Sequence, residues 1–484
     1  MRIVIDLQGC QSGSKRGGIG RYSMELAKAM AREPREHDVW LVLSALMPES
    51  IAEIRATFDG LIPKERIQVF DLPDNIAMRT SDPARVRAAE IIREDFLQCM
   101  QPDFVHIMSL FEGFDEDVVT SVGQCFPGSN TAVTLYDLIP LVHSSLYFAD
   151  GKRRDFYERK IQNIKNAGLL LAISEFSRQE AIDLLDMPAD RVVNISSAVD
   201  ERFIPVLAVP EKSARLLSRY GIRRQFLMYT ARFDLLKNQA NLISAFALLP
   251  HEVRKDYQLV IVGKGSDDVL YKLNQLAEKS GLDVGEVVFP GHVVDIDLVA
   301  LYNLCHLFVL PSLAEGFGLP ALEAMSCGTA TIGSNLTSVP EVIGWSDALF
   351  DPTSSDKIAK KIHQALTEPG FLQALRTHGL EQAKKFSWKQ TAERALDAFE
   401  SQHELHKKSL VKGGAHPSQS KAFMQSSPRL FHATDGIDDV VNKLIQTDNA
   451  SALSSEDLML IASIVAGNRT GLERLFRKAS FARA

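Results

Sequence analysis

The chain has 484 residues, more than one hydrophobic core usually serves, so two or three domains of about 100–200 residues are expected. Its 54 Lys+Arg against 61 Asp+Glu leave a net charge of −7, which excludes the basic footprint of a nucleic-acid binder but not a local phosphate site. Five scattered cysteines (Cys10, Cys99, Cys125, Cys305, Cys327) form no metal-ligand spacing, the start MRIVIDLQGC is too short for a signal peptide's apolar region, and no apolar run approaches the ~18 residues of a membrane span. A cytoplasmic protein with reduced thiols is expected, with peripheral contact at the inner face of the cytoplasmic membrane still open.

The first segment, MRIVIDLQG, is a β-branched run, followed by the glycine loop SGSKRGGIG and by RYSMELAKAMAR, apolar at helical spacing. Short apolar runs then recur at DVWLVLSAL, PDFVHIM, NTAVTLYDLIPL, GLLLAIS and RVVNISSAV, separated by helical stretches such as RVRAAEIIREDFLQCM. Strands alternating with helices predict a parallel sheet covered on both faces. After the proline-bearing connector FIPVLAVPEKSARLL the pattern restarts with QFLMYTAR, YQLVIVGKG, EVVFPGHV, HLFVLPS and TATIGS. The fold class is α/β, two Rossmann-like halves facing a cleft: residues 1–205 and 206–388, with ligands expected beyond the carboxyl ends of the strands. Residues 389–406 form one more helix. Residues 407–430, rich in Ser, Lys, Gly and Pro, read as a linker, and 431–484 as a small helical tail.

Two clusters in the second half carry chemistry. In LAEGFGLPALEAMSCG, Glu315 and Glu323 flank a Gly-Phe-Gly-Leu-Pro turn at which a helix can begin, with Pro320 suited to a first helical turn. Free N–H groups at such a start suit a diphosphate or a sugar hydroxyl. The two carboxylates would bracket one ligand, Glu323 accepting from ribose hydroxyls and Glu315 lying near a sugar ring. Two solvated glutamates beside a loop are the plainer alternative. Upstream, YTARFDLLKN sets Arg232 and Lys237 past a strand end, where a guanidinium and an ammonium would neutralise a pyrophosphate leaving group. An ordinary charged loop is the alternative there.

Taken in order, ARFDLLKN, LVIVGKG, VVFPGHV, VLPSLAEGFGLPALEAMSCG and SVPEVIG resemble the donor-binding half of the retaining GT-B glycosyltransferases of family 4. RGGIGRYSMELAKAM, TLYDLIPL and LAISEFSRQE extend the resemblance to residues 1–405. It implies GT-B architecture, a nucleotide-sugar donor in the second half, and a saccharide or lipid-linked saccharide acceptor mainly in the first. It also implies that helix 389–406 crosses back to the first half. By resemblance, Arg232 and Lys237 hold the diphosphate and Glu323 the ribose. Glu315 with the backbone of Gly316, Phe317, Gly318 and Leu319 lies near the donor sugar, and the Gly263 and Val293 backbones lie by the base. Gly17, Gly18 and Gly20 would approach the phosphates from across the cleft. Where many relatives carry His-Asp, this chain has Tyr136-Asp137, so Asp137 is the first candidate for touching the donor sugar or acceptor. His106, ending another strand, reads as structural or cleft-facing. No protein nucleophile, cofactor or metal is called for.

The strongest resemblance is to bacterial polysaccharide mannosyltransferases, so transfer of mannose from GDP-mannose in O-antigen-like assembly is expected. A UDP-sugar transferase, a GT-B-type epimerase or phosphorylase, and a non-catalytic carbohydrate-binding module are the alternatives. In the tail, Arg474, Arg477, Lys478 and Arg483 among Leu472, Leu475, Phe476 and Phe481 form a basic amphipathic pattern for a membrane surface, a protein partner or packing on the chain itself.

Overall fold

The computed structural model describes residues 1–412 apart from Pro34 and Ala208. Two wholly parallel sheets organise it. The first, of seven strands, runs β1 (Arg2–Asp6), β2 (Asp38–Ser44), β3 (Ile67–Phe70), β4 (Phe104–Ile107), β5 (Thr131–Leu135), β6 (Leu169–Ala172) and β7 (Val192–Asn194) in the order β3-β2-β1-β4-β5-β6-β7. The second has six: β8 (Gln225–Thr230), β9 (Tyr257–Val262), β10 (Val287–Gly291), β11 (Leu307–Leu310), β12 (Thr331–Ser334) and β13 (Leu349–Phe350), ordered β10-β9-β8-β11-β12-β13. β1 pairs on both sides, Ile3 opposite Val39 of β2 and Phe104 of β4, and the chain order reverses there. The second sheet reverses between β8 and β11. Helices on both faces bury central strands such as β5 throughout, which is why they read as continuous Val/Ile/Leu/Thr runs rather than alternating ones.

At the end of β1, Asp6 is fully enclosed and accepts from the Arg93 guanidinium (Nε 2.8 Å) and from the Gln8 backbone and side chain. Removing one partner from a buried pair of this kind costs about 3–5 kcal/mol, because the survivor is left charged without a partner.

The chain passes to the second sheet through residues 195–209, where the Val206 N–H donates to Asn303 Oδ1 at 2.7 Å. It returns on the helix Trp388–Lys412. Trp388 meets Tyr22 edge-on at 5.2 Å, and the fully buried Phe399 packs between Phe104 (5.2 Å) and His106 (5.6 Å) of β4. Arg35 closes the contact on Asp397 and Glu400 at 2.8 and 3.1 Å. The expected linker is corrected at its start: Lys407–Lys412 continue the helix, since Lys and Leu favour it and Lys407 pairs with Glu404 one turn back. The rest of that linker, and the tail with Arg474, Arg477, Lys478 and Arg483, lie outside the described residues. Among the described residues no helix is long and apolar enough to cross a membrane, and all five cysteines are free thiols.

Candidate active site

The loop after β8 is built to present a lysine. Asp234 accepts from the N–H groups of Leu236 (2.9 Å) and Lys237 (3.2 Å), coiling Leu235–Lys237 into a single turn. Asn238 then adopts the left-handed conformation (φ 61°), which Asn tolerates better than most side chains, and donates to the Pro311 and Pro352 carbonyls at 2.8 Å each. So anchored, Lys237 places its Nζ 2.7 Å from Glu315 Oε2. Burial opposes the Lys237 charge, but the Glu315, Asp234 and Asp137 carboxylates outweigh it and raise the ammonium's pKa. Glu315 is itself held by Ser312 Oγ at 2.7 Å, with its N–H on Thr337 Oγ1 and its carbonyl accepting from Ser338 Oγ. Glu315 thus stands behind Lys237 rather than beside the ligand space. Arg232 is exposed and, among the described residues, makes no ion pair, so its donors are free for a ligand.

Across the cleft, β5 ends in Tyr136-Asp137. Asp137 accepts from the Ile139 N–H at 3.0 Å. Burial raises its carboxyl, the Ile139 N–H and Lys237 pull it back, and Glu315 adds to the rise. The Tyr136 hydroxyl contacts Ser23 Oγ (3.0 Å) and donates to the Ile19 carbonyl (3.3 Å), and burial pushes its pKa far up, so it keeps its proton and is no base. His106 does not reach the cleft. It lies in the core under Phe399 with Nε2 on Thr134 Oγ1 at 2.9 Å, and burial holds it near 3 and hence neutral.

The two halves touch at Gly316. A Cβ there would lie 2.7 Å from the Tyr136 carbonyl and 3.1 Å from Asp137, and Ser177 Oγ donates to both the Tyr136 (2.9 Å) and Gly316 (3.3 Å) carbonyls. Phe317 is buried edge-on to Phe386. Gly318 is left-handed (φ 101°) and starts the helix Leu319–Ser326, with Pro320 in its first turn. Glu323, on that helix, turns its carboxylate inward to accept from Tyr302 OH at 2.7 Å, and burial pushes it up to about 7.

The remaining predicted residues divide. Gly17 precedes and Gly18 opens the helix Gly18–Arg32, and beside Gly18 there is open space. At Gly20 a Cβ would sit 2.5 Å from Lys15 Cα, so its bareness serves the chain's own packing, while its backbone also lines a cavity between the halves. Gly263 (φ 151°) is likewise required by the Ala231 carbonyl, 1.8 Å from a Cβ position, and the Val293 side chain is buried.

Two cavities lie between the halves. One, of about 780 Å³, is lined by Ile19, Tyr136, Asp137 and Tyr147 against Arg232, Asp234 and Lys237. The other, of about 510 Å³, has Glu323, Leu319 and Asp295 facing Gly20, Arg21 and Lys15. Gly263 and Val293 line neither of these two. Asp234 and Tyr147 were missed by the sequence reading. An aspartate three residues before Lys237 is a turn-capping signal that points to the first. Among the described residues no group of three or more His, Cys, Asp or Glu side chains could hold a metal ion.

Residues 16–203 match Glycosyltransferase Family 4 and residues 220–386 match Glycosyl transferases group 1, one family for each sheet. O-antigen chain mannosyltransferase B of Escherichia coli is 32% identical over 389 residues, covering 79% of this chain and 95% of that relative. The chain belongs to glycosyltransferase family 4. This family 4 member is also 38% identical over 401 residues to the serotype-specific mannosyltransferase WbdA of E. coli. That match covers 82% of the chain but only 48% of WbdA, so the chain spans about half the length of such relatives. Its GT-B fold is shared by Anabaena HepE, solved in complex with UDP and glucose (TM-score 0.60, 17% identity, 83% of this chain and 100% of that one). WaaG, a glycosyltransferase involved in lipopolysaccharide biosynthesis, also shares it (TM-score 0.55, 16% identity, 82% and 99%).

Proposed function

We propose that this family 4 glycosyltransferase is a retaining enzyme that moves mannose from GDP-mannose to a saccharide or lipid-linked saccharide acceptor in O-antigen-type polysaccharide assembly. The observation that carries the transfer chemistry is the Lys237 ammonium, fixed 2.7 Å from Glu315 beside the unpaired Arg232 and facing Asp137 across the cleft. The choice of mannose is supported by the named activities of WbdA and O-antigen chain mannosyltransferase B.

In this reading the donor diphosphate lies against Arg232 and Lys237. As the bond from the anomeric carbon to the phosphate oxygen breaks, the leaving group gains negative charge, and two cations already in position stabilise it without reorganising. The acceptor hydroxyl attacks from the face the diphosphate leaves, and its proton passes to the departing phosphate oxygen. The configuration is retained and no protein nucleophile is needed. Asp137 accepts hydrogen bonds from sugar hydroxyls, Glu323 does so from the ribose, and Glu315 acts through Lys237 as a positioning residue.

Incubating the protein with GDP-mannose, UDP-glucose, UDP-galactose and UDP-N-acetylglucosamine, each with a mannose oligosaccharide, tests the proposal. Nucleotide release with GDP-mannose alone and an α-linked product by NMR are expected. Turnover confined to a UDP-sugar would overturn the donor, a β-linkage would overturn retention, and interconversion of the donor sugar without acceptor would make the enzyme an epimerase.

A further inference from the structure

The 780 Å³ cavity extends beyond the charged groups onto an aromatic wall of the first half, made of Phe111, Phe114, Phe148, Phe156 and Tyr157. These rings satisfy one another: Phe111 stacks on Tyr157 at 4.7 Å, Phe148 meets Tyr157 at 4.9 Å, and Phe114 meets Phe156 at 5.4 Å. Tyr147 differs. It closes the short helix Ser144–Tyr147, ten residues past Asp137, and is 38% exposed at the cavity. Among the described residues it has no ring partner and its hydroxyl no hydrogen bond. It lines the same cavity as Asp137 of the first half and Arg232, Asp234 and Lys237 of the second.

The charged groups along this wall are already engaged, Glu112 among them, whose carboxylate accepts from the Ser12 (3.0 Å) and Ser109 (2.7 Å) hydroxyls. Arg153 lies over Phe114 at 4.5 Å and bonds Asp115 at 3.3 Å, Arg79 bonds the same Asp115 at 3.0 Å, and Glu116 accepts from the Gly13 N–H. What remains open is an aromatic face with a polar tip. That surface suits a pyranose, whose C–H face is apolar and whose rim carries hydroxyls, better than it suits an anion.

We propose that Tyr147 is the platform on which the acceptor's terminal sugar stacks, and that this terminus is taken as a neutral saccharide. The inference rests on the transferase reading above. Stacking on Tyr147 holds the sugar beside Asp137, with a hydroxyl directed at the donor.

The full-length protein is assayed with whichever nucleotide sugar supports transfer, so that failure of GDP-mannose overturns the donor reading and leaves this test intact. Tyr147→Ala is expected to raise the acceptor KM about tenfold, with kcat, donor KM and acceptor-independent donor hydrolysis close to wild type. Tyr147→Phe, which keeps the ring, should stay within about twofold of wild type. An unchanged acceptor KM in Tyr147→Ala, an equal rise in donor KM, or a Phe variant as poor as the Ala variant would each overturn the platform. Tighter binding of an oligosaccharide phosphorylated on its terminal sugar would overturn the neutral terminus.

Discussion

Lys237 and Arg232 carry similar charge in opposite circumstances, and their replacements should separate. If the proposed transfer holds, Lys237→Ala removes the donor assigned to the leaving group and is expected to lower kcat/KM about 10²–10³-fold. It also strands the Glu315 carboxylate, so the variant should unfold at lower urea concentration. Arg232→Ala should cost comparable activity with an unchanged urea midpoint, because its side chain is exposed and pairs with nothing described. Glu315→Gln removes the largest influence that offsets burial of Lys237, so the basic limb of the pH–rate profile should move to lower pH. Glu323 gives a second pH signature. Its carboxyl, held near 7 against an ordinary 4.5, keeps a proton that the unfolded chain releases. Its contribution to stability is therefore full below about 4.5 and lost as pH rises through 7. Nucleotide binding should run the other way if ribose hydroxyls need the ionised acceptor. Calorimetric titration with GDP should show affinity about tenfold higher at pH 8 than at pH 6, and the dependence should vanish in Glu323→Gln. That Arg232, Lys237 and Glu323 reach the cavities between the halves was legible, because residues just past the carboxyl ends of parallel strands face the cleft whatever their role. The packing demand at Gly20 and Gly263 was not, since a sequence cannot say whether a missing side chain makes room for a ligand or for the chain itself. Tyr147 sits in SSLYF, where nothing periodic distinguishes an open aromatic from a buried one.

At the scale of elements, one helix of the first half is capped by the second. The Glu341 carboxylate, from the helix Val339–Ile343, accepts the N–H groups of Glu175 (2.9 Å) and Phe176 (3.2 Å) at the start of the helix Glu175–Leu185. Helix N-termini favour negative charge, and losing such a cap costs about 0.5–2 kcal/mol. Glu341→Ala should thus speed amide exchange at residues 175 and 176 several-fold while leaving the β8 and β9 amides protected. Protection unchanged at 175 and 176 would show that the contact is not kept in solution. The alternation of strands and helices that defines both halves was readable because each central strand is buried on both faces and so becomes an uninterrupted apolar run. The cross-half cap was not readable, because PEVIG carries its glutamate in the first turn of its own helix, where an acidic residue needs no outside partner. The helix boundary near Lys407 was misread for a related reason: a change toward Ser, Gly and Pro marks where a helix is no longer required, not where it stops.

For the whole molecule, the two halves are joined by bonds as well as by chain. Asp295 of the second half accepts from Arg21 (2.8 Å) and Arg202 (3.0 Å) of the first. These exposed pairs are each worth about 1 kcal/mol or less. A chain ending at Lys412 should bind GDP as the full chain does. One ending before Trp388 should expose Phe104 and His106, lose the roughly 3–5 kcal/mol that a buried phenylalanine such as Phe399 supplies, and aggregate. Light scattering and calorimetry distinguish the two outcomes. The return of Trp388–Lys412 to the first sheet also decides what rides on what. Because the backbone leaves the first sheet at residues 195–209 and comes back to it on Trp388–Lys412, the second half is an insertion hung on two crossings of backbone. The backbone that continues past Lys412 therefore departs from the body that holds the first sheet, not from the one that holds Lys237 and Glu323.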